Sequence, residues 1–384
     1  TKSVFMRLLG VLGRRLLLVG SAGAASITTS RLSPSSSDSA PRKSPEPTPR
    51  RNSDVDTFLR KALIRCAGSA KEVEDHYEFL STLGKGGFGL VTLARNKMTG
   101  LLRAVKRIDA CAEDQSYMKS RLAEVEALME LDHPNVVKLF EYFGAQGDES
   151  LFLVEELCTG GTLESAIEAA GGRVNAEYTA VLLRQMLRGV LCCHAHGLAH
   201  RDLKPDNFAF ATQDEDAALK LLDFGLSLGT RAGQPLHATG APTEEAGDYL
   251  KAAGTLERSA PETLPTRDAR TGRTQRVAVY GKAADIWALG AIAFEMLTGE
   301  PIVDMDDLSG ETAEFRRFAK ALRTPGGEVD VLDDLARRVR SERYIAARLR
   351  YARSRCGDAR AVELLERMLC IDPAERISAT DALR

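Results

Sequence analysis

The sequence predicts an α+β fold in two lobes: a small, mostly antiparallel sheet with one helix, then a larger, mainly helical half. Three observations carry this. The chain has 384 residues, beyond the ~250–300 at which a single core stops growing. From Tyr77 to Ile108 the pattern runs strand, glycine-rich loop, strand, turn, strand. Further on, apolar runs of helical length take over, and the one ending at Leu297 reads as a fully buried helix.

Composition sets the outer bounds. With 44% hydrophobic and 28% charged residues the chain is neither wholly disordered nor collagen-like. A net charge of −2 argues against a bulk nucleic-acid binder, so no nucleic-acid partner is expected. The seven cysteines are odd in number and scattered through apolar segments, which points to reduced thiols and, by default, an intracellular, cytoplasmic setting. Starting at Thr1 and stopping at Arg384, the sequence reads as a piece of a longer protein.

The first element, residues 1–53, is a basic arm or targeting segment. It holds nine Lys and Arg against two acids, a net +7, which leaves −9 for the rest of a chain that totals −2. The apolar run Leu16 to Ile27 is too short to span a bilayer. An organelle transit peptide, a secretory signal and a disordered basic arm all fit this composition, so an organelle or membrane location stands as the alternative. Pro34 to Pro49, dense in Ser and Pro, is a flexible linker. Residues 54–76 form a linker with weak helical spacing at Phe58, Leu59, Ala62 and Leu63.

The small lobe is placed at 77–157. Tyr77 to Leu83 reads as a strand that runs into Gly84-Lys85-Gly86-Gly87-Phe88-Gly89, followed by Val91, a turn at Met98-Thr99-Gly100, and a strand over 101–108. In a dinucleotide-binding unit the third glycine would open a helix. Here a second strand follows, so the loop is a glycine hairpin, which either turns the chain or lets backbone N–H groups approach phosphates without Cβ clashes. Lys106, ending the apolar Ala104-Val105, can reach an α/β-phosphate beneath it. A carboxylate must then hold the lysine. The helix Met118 to Leu131 offers Glu124, Glu126 and Glu130, and Glu124 lies best beside the apolar stripe of Leu122, Val125, Leu128 and Met129.

The large lobe, 158–384, carries His200-Arg201-Asp202-Leu203-Lys204-Pro205-Asp206-Asn207 and then Asp223-Phe224-Gly225. With the glycine loop and Lys106, in this order and at these separations, the set resembles the eukaryotic protein kinase signature over roughly Tyr77 to Arg384. The resemblance implies a bilobal protein-kinase-like fold and transfer of the ATP γ-phosphate to a protein hydroxyl with Mg2+. Asp202 would orient the hydroxyl and accept its proton, and Lys204 would steady the transferring phosphoryl group. Asn207 and Asp223 would supply hard oxygen ligands to Mg2+, and Lys106 with Glu124 would hold the phosphates. Leu83, Gly84 to Gly89, Val91, Ala104, Glu156, Cys158 and Ala209 would line the nucleotide cleft, with the hinge near Glu156 to Thr159.

Asp-Leu-Lys-Pro-x-Asn, together with Thr255 after Gly254, resembles the serine/threonine class. Residues 153–161 and 193–197 are most similar to the calcium-dependent and calmodulin-dependent group, which makes a calcium sensor, EF-hand or calmodulin, a candidate partner beside the protein substrate. The resemblance also implies that Ala260-Pro261-Glu262 pairs with Arg376, and that Asp285 holds the catalytic-loop backbone. The competing reading is a pseudokinase, a nucleotide-binding scaffold without transfer.

Several positions depart from the family pattern. Glu155 stands behind the adenine pocket, where the family has an apolar residue or Thr. A carboxylate there needs a buried cation unless the register shifts by one. Thr162 replaces a glutamate that basophilic relatives use, and Leu256-Glu257-Arg258-Ser259 alters the substrate platform. Thr230, Thr239 and Thr243 are candidate phosphosites, with Arg201 able to pair with such a phosphate or with Glu244, Glu245 or Asp248. A calcium loop over 304–315 is rejected, because its glycine falls at position seven and Phe315 at twelve. Cys192, Cys193, His194 and His196 with His200 lack the usual zinc spacing. The Arg-rich stretch from Asp333 to Arg355 is read as a solvated helix face.

Overall fold

The computed structural model describes residues 66–86, 89–109, 125, 128–129, 131–144, 150–224, 228–229, 257–264, 266–267, 274–275, 281–303 and 335–384. The small lobe is a six-stranded sheet built from β1 (Cys66–Gly68), β2 (Tyr77–Gly86), β3 (Gly89–Asn96), β4 (Leu102–Asp109), β5 (Leu139–Phe143) and β6 (Ser150–Glu155), in the order β1-β5-β6-β4-β3-β2. All pairings are antiparallel except β1 with β5. The β3–β4 turn is set by Asn96, whose Oδ1 accepts from the Met98 and Thr99 N–H groups, and by Gly100 at φ 72°.

Alternation along the strands splits the sheet into two faces. Val105 and Val154 pack on one side with Val73, Tyr77, Ala94 and Phe143. On the other, Ile108, Leu151 and Leu153 join Val125 and Leu128 from the following segment, and this cluster continues into the large lobe.

Strand β1 was not legible in the sequence, which suggested only a weak helix over 54–76. The strand is three residues long, too short for a period to register. Its partner is the β5 edge, reinforced by the Gly144 N–H donating to the Gly68 carbonyl at 3.0 Å. Ser69 and Glu72 form a reciprocal capping box that turns the chain into the short helix α1 (Val73–His76).

The large lobe is helical: α2 (Leu163–Ala169), α3 (Ala176–Ala195), α4 (Lys282–Thr298), α5 (Glu342–Cys356), α6 (Ala359–Met368) and α7 (Ala379–Ala382) among the described residues. Asn175 caps α3 by accepting from the Tyr178 N–H, and Gly299 at φ 81° ends α4. Helix α4 is the centre of the lobe, buried almost throughout from Ala284 to Thr298 and carrying the single tryptophan, Trp287. Gly290 lets α6 approach it, since a Cβ there would lie 3.0 Å from that of Met368. No helix among the described residues is long and apolar enough to cross a membrane. The calcium-loop segment, the candidate phosphosites and the arm 1–53 fall outside the described residues.

Candidate active site

The site lies where the sheet meets the loop after α3. Strand β7 (Leu198–Ala199) pairs with β10 (Leu228–Gly229), and the loop behind β7 is fixed by Asp285 on α4. Asp285 is 1% exposed and accepts from the His200 and Arg201 N–H groups, both at 2.9 Å, while His194 Nε2 lies 2.8 Å from the same carboxylate. Burial alone would raise this carboxyl, but the His194 hydrogen bond and charge, with His200 and the Arg201 N–H, hold it below the ordinary carboxylate value. Arg201 takes φ 73°, a left-handed conformation costing on the order of 1–3 kcal/mol. The Asp285 contacts hold it in place.

His194 is thereby spent on structure, and no group of three metal-binding side chains occurs among the described residues.

The loop presents Asp202, 4% exposed. Lys204 Nζ donates to Asp202 Oδ2 at 2.9 Å, and the Asn207 amide nitrogen donates to the Asp202 carbonyl at 2.7 Å and to Oδ2 at 3.2 Å. After β8 (Phe208–Phe210) and β9 (Leu219–Leu221) the chain reaches Asp223, another left-handed residue at φ 54°. Asp223 Oδ1 accepts from Lys106 Nζ at 2.8 Å, joining the sheet to the loop across 117 residues of sequence. His200 links the two segments from below: its Nε2 is 3.0 Å from the Leu222 carbonyl and its ring meets Phe224 edge-on.

The cleft above this cluster has β3 and β4 as its roof. Val91 is in register with both Gly84 and Lys106, and Ala104 with both Leu93 and Glu155. Ala209, 4% exposed, lies on β8, and Leu83, 49% exposed, sits before the glycine loop. Gly89 at φ 148° is required by packing, since a Cβ would fall 1.9 Å from the Arg107 carbonyl oxygen. Gly84 has nothing within 4 Å of where a Cβ would be. The hinge is fixed by the Glu156 N–H donating to the Lys138 carbonyl at 2.9 Å and by a 2.8 Å ion pair from Lys220 to Glu156. Burial, then the Glu156 charge, pushes the Cys158 thiol up to about 12, so it stays protonated at neutral pH.

A model of the protein kinase domain matches residues 77–384. The chain belongs to the protein kinase family. It is 36% identical over 245 residues to calcium/calmodulin-dependent protein kinase type 1 of Caenorhabditis briggsae, covering 64% of this chain and 61% of that protein. It is 31% identical over 316 residues to cell division control protein 2 homolog 3 of Trypanosoma brucei brucei, covering 82% and 92%. A CDPK-related kinase 1 of Arabidopsis thaliana is 35% identical over 62% of this chain and 37% of its own length. The kinase therefore spans about three fifths of the calcium/calmodulin-dependent relative and less of the plant one. The domain is thus a protein kinase domain similar to calmodulin-dependent relatives.

Of the site residues expected from the sequence, Asp202, Lys204 and Asn207 form one hydrogen-bonded cluster and Lys106 pairs with Asp223, while Val91 and Ala104 lie on β3 and β4, Glu156 and Cys158 follow β6, and Ala209 lies on β8. Only the backbone of Lys85 and Gly86 is described. Gly87, Phe88, Glu124 and Thr255 lie outside the described residues. The expected Lys106–Glu124 pair thus falls outside them too, while Lys106 is seen on Asp223. Glu155 is in register with Ala104 across β4–β6. Thr162 serves as the N-cap of α2, accepting from the Ser165 N–H. The ion pairs Lys220–Glu156 and Arg258–Glu295 were missed. No local pattern announces partners 64 and 37 residues away.

The donor set suits the nucleotide and metal that the family implies. The Asn207 amide nitrogen is committed to Asp202, which turns its oxygen the other way, and Asp223 brings a second hard oxygen. Lys106 would supply a cation for the phosphates.

Proposed function

We propose that this kinase is catalytically active, transferring the ATP γ-phosphate to serine or threonine hydroxyls of a protein substrate. The Asp202 cluster is the observation that carries the reading. Asp202 Oδ2 accepts from both Lys204 and Asn207, which fixes the carboxylate where it can orient a substrate hydroxyl and take its proton. Lys204, so placed, neutralises charge on the transferring group, and Lys106 anchors the phosphates behind it. Asn207 and Asp223 would hold Mg2+, which, when bound, offsets the charge of the phosphate oxygens. A scaffold without transfer would not need this cluster.

Phosphate transfer to a generic serine/threonine peptide is the test. Native protein should transfer, and Asp202→Ala should fall by at least ~10³-fold while still binding ADP. Native protein that binds ADP without transferring would make the scaffold reading correct. Control by a calcium sensor rests on the likeness to relatives named for calcium and calmodulin. Peptide transfer should rise several-fold on adding calcium with calmodulin to the full protein, and an unchanged rate would remove that part of the proposal.

A further inference from the structure

Helix α5 carries a charge that the fold only partly uses. Arg343, Arg348, Arg350, Arg353 and Arg355 stand on it against one acid, Glu342, and Arg360 follows on α6 beyond the left-handed Gly357. Three of these six arginines have work within the fold. Arg348 lies 3.4 Å from Glu300 Oε2 and donates to the Pro301 carbonyl. Arg353 pairs with Glu366 at 3.0 Å, and Arg355 lies 5.9 Å from the Tyr351 ring in the last turn, where the helix dipole favours a cation.

Arg343, Arg350 and Arg360 have no such account. All three are exposed, and none has a hydrogen bond, ion pair or ring contact among the described residues. Arg343 and Arg360 each stand second in their helix, in the first turn, where the dipole disfavours a cation. The fold gains nothing from placing them there. An anion from outside would.

The shape of the face narrows what that anion is. Ile345 and Ala352 bury the inner side of α5, so its outward side presents Arg343, Ala346, Ala347, Arg350 and Ser354. Arg343 and Arg350 are two turns apart, about 10 Å along the axis. No large apolar side chain stands between them to enter a lipid surface. A nucleic acid would run on past the helix, along a body whose net charge beyond residue 53 is −9. A short acidic peptide meets the helix alone, and guanidinium groups suit its carboxylates. We propose that the outward face of α5, with Arg360 at the start of α6, is a docking surface for an acidic segment of a protein partner. The proposal stands apart from the reading of the cleft.

The test is fluorescence anisotropy of a labelled peptide of alternating Glu and Gly on the full chain at ~0.15 M salt, with a Gln-Gly peptide as the neutral control. Native protein should bind the Glu peptide about tenfold or more tighter, because exposed charge pairs are weak singly and count together. Arg343→Glu/Arg360→Glu should cut that binding about tenfold or more. Arg184→Glu/Arg188→Glu, the same charge change at exposed positions of α3, should leave it within about twofold of native. Melting temperatures separate docking from a structural role. Acids are favoured in a first turn, so Arg343→Glu/Arg360→Glu should melt at or above the native temperature. A fall would make these arginines part of the fold and overturn the inference. Equal binding of the two peptides overturns it, as does an equal loss in both double variants. So does tighter binding of a uridylate oligomer or of phosphatidylserine vesicles that Arg343→Glu/Arg360→Glu abolishes.

Discussion

At the scale of single residues, Asp285 decides the most. It touches no substrate, yet two backbone N–H groups of the catalytic loop and His194 all end on it. Replacing it with Asn keeps the shape and leaves those donors facing a neutral group, and a broken buried charged network costs about 3–5 kcal/mol. Asp285→Asn should lower the unfolding free energy by about that range and weaken peptide transfer, both readable from denaturant titration and a transfer assay. The pH dependence follows from its lowered pKa. A carboxyl more acidic in the folded state than unfolded stabilises the protein above the ordinary aspartate value near 3.8. That stability is lost as pH falls through the folded value. The native unfolding midpoint should drop in this acid window, and Asp285→Asn should remove this residue's part of the drop. An equally steep fall in the variant would place the acid sensitivity elsewhere.

At the scale of elements, the glycine hairpin shows how one motif carries two physical demands. Gly89 is a packing glycine, held at φ 148° against the Arg107 carbonyl. Gly89→Ala should cost on the order of 2–3 kcal/mol, because backbone must shift to admit the Cβ. Gly84 has open space around it, so Gly84→Ala should leave the melting temperature within ~1–2 °C of native, as a strand alanine without clashes does. Thermal unfolding of the two variants side by side checks the contrast, and equal losses would contradict it. The sequence pattern alone gave both glycines the same meaning. The same limit explains β1: a three-residue strand has no period to read, and its partner Tyr142 lies 76 residues away.

At the scale of the whole molecule, the two halves are bound by contacts distant in sequence. The apolar core runs from Ile108 and Leu151 in the sheet to Trp287 and Met368 in the helical half. Lys106 reaches Asp223 and Lys220 reaches Glu156 between the halves, while within the helical half Arg376 clamps Glu262 with a bidentate pair at 2.6 and 2.9 Å and lies over Trp287. The Arg376–Glu262 pair was expected from the family pattern. Lys220–Glu156 was not, since a lone lysine in an apolar strand carries no mark of its partner.

By itself the sequence determined the chemistry on offer and the order of parts. The glycine hairpin, the His200–Asn207 run, Asp223 and the apolar helix through Trp287 are local patterns, and local patterns follow from spacing and residue type. Tertiary structure alone decided how those parts are held. It placed Lys106 on Asp223, set His194 against Asp285, and put Glu155 in register with Ala104. Each of these depends on strand register or on a contact across dozens of residues, and neither is encoded in any short stretch of chain.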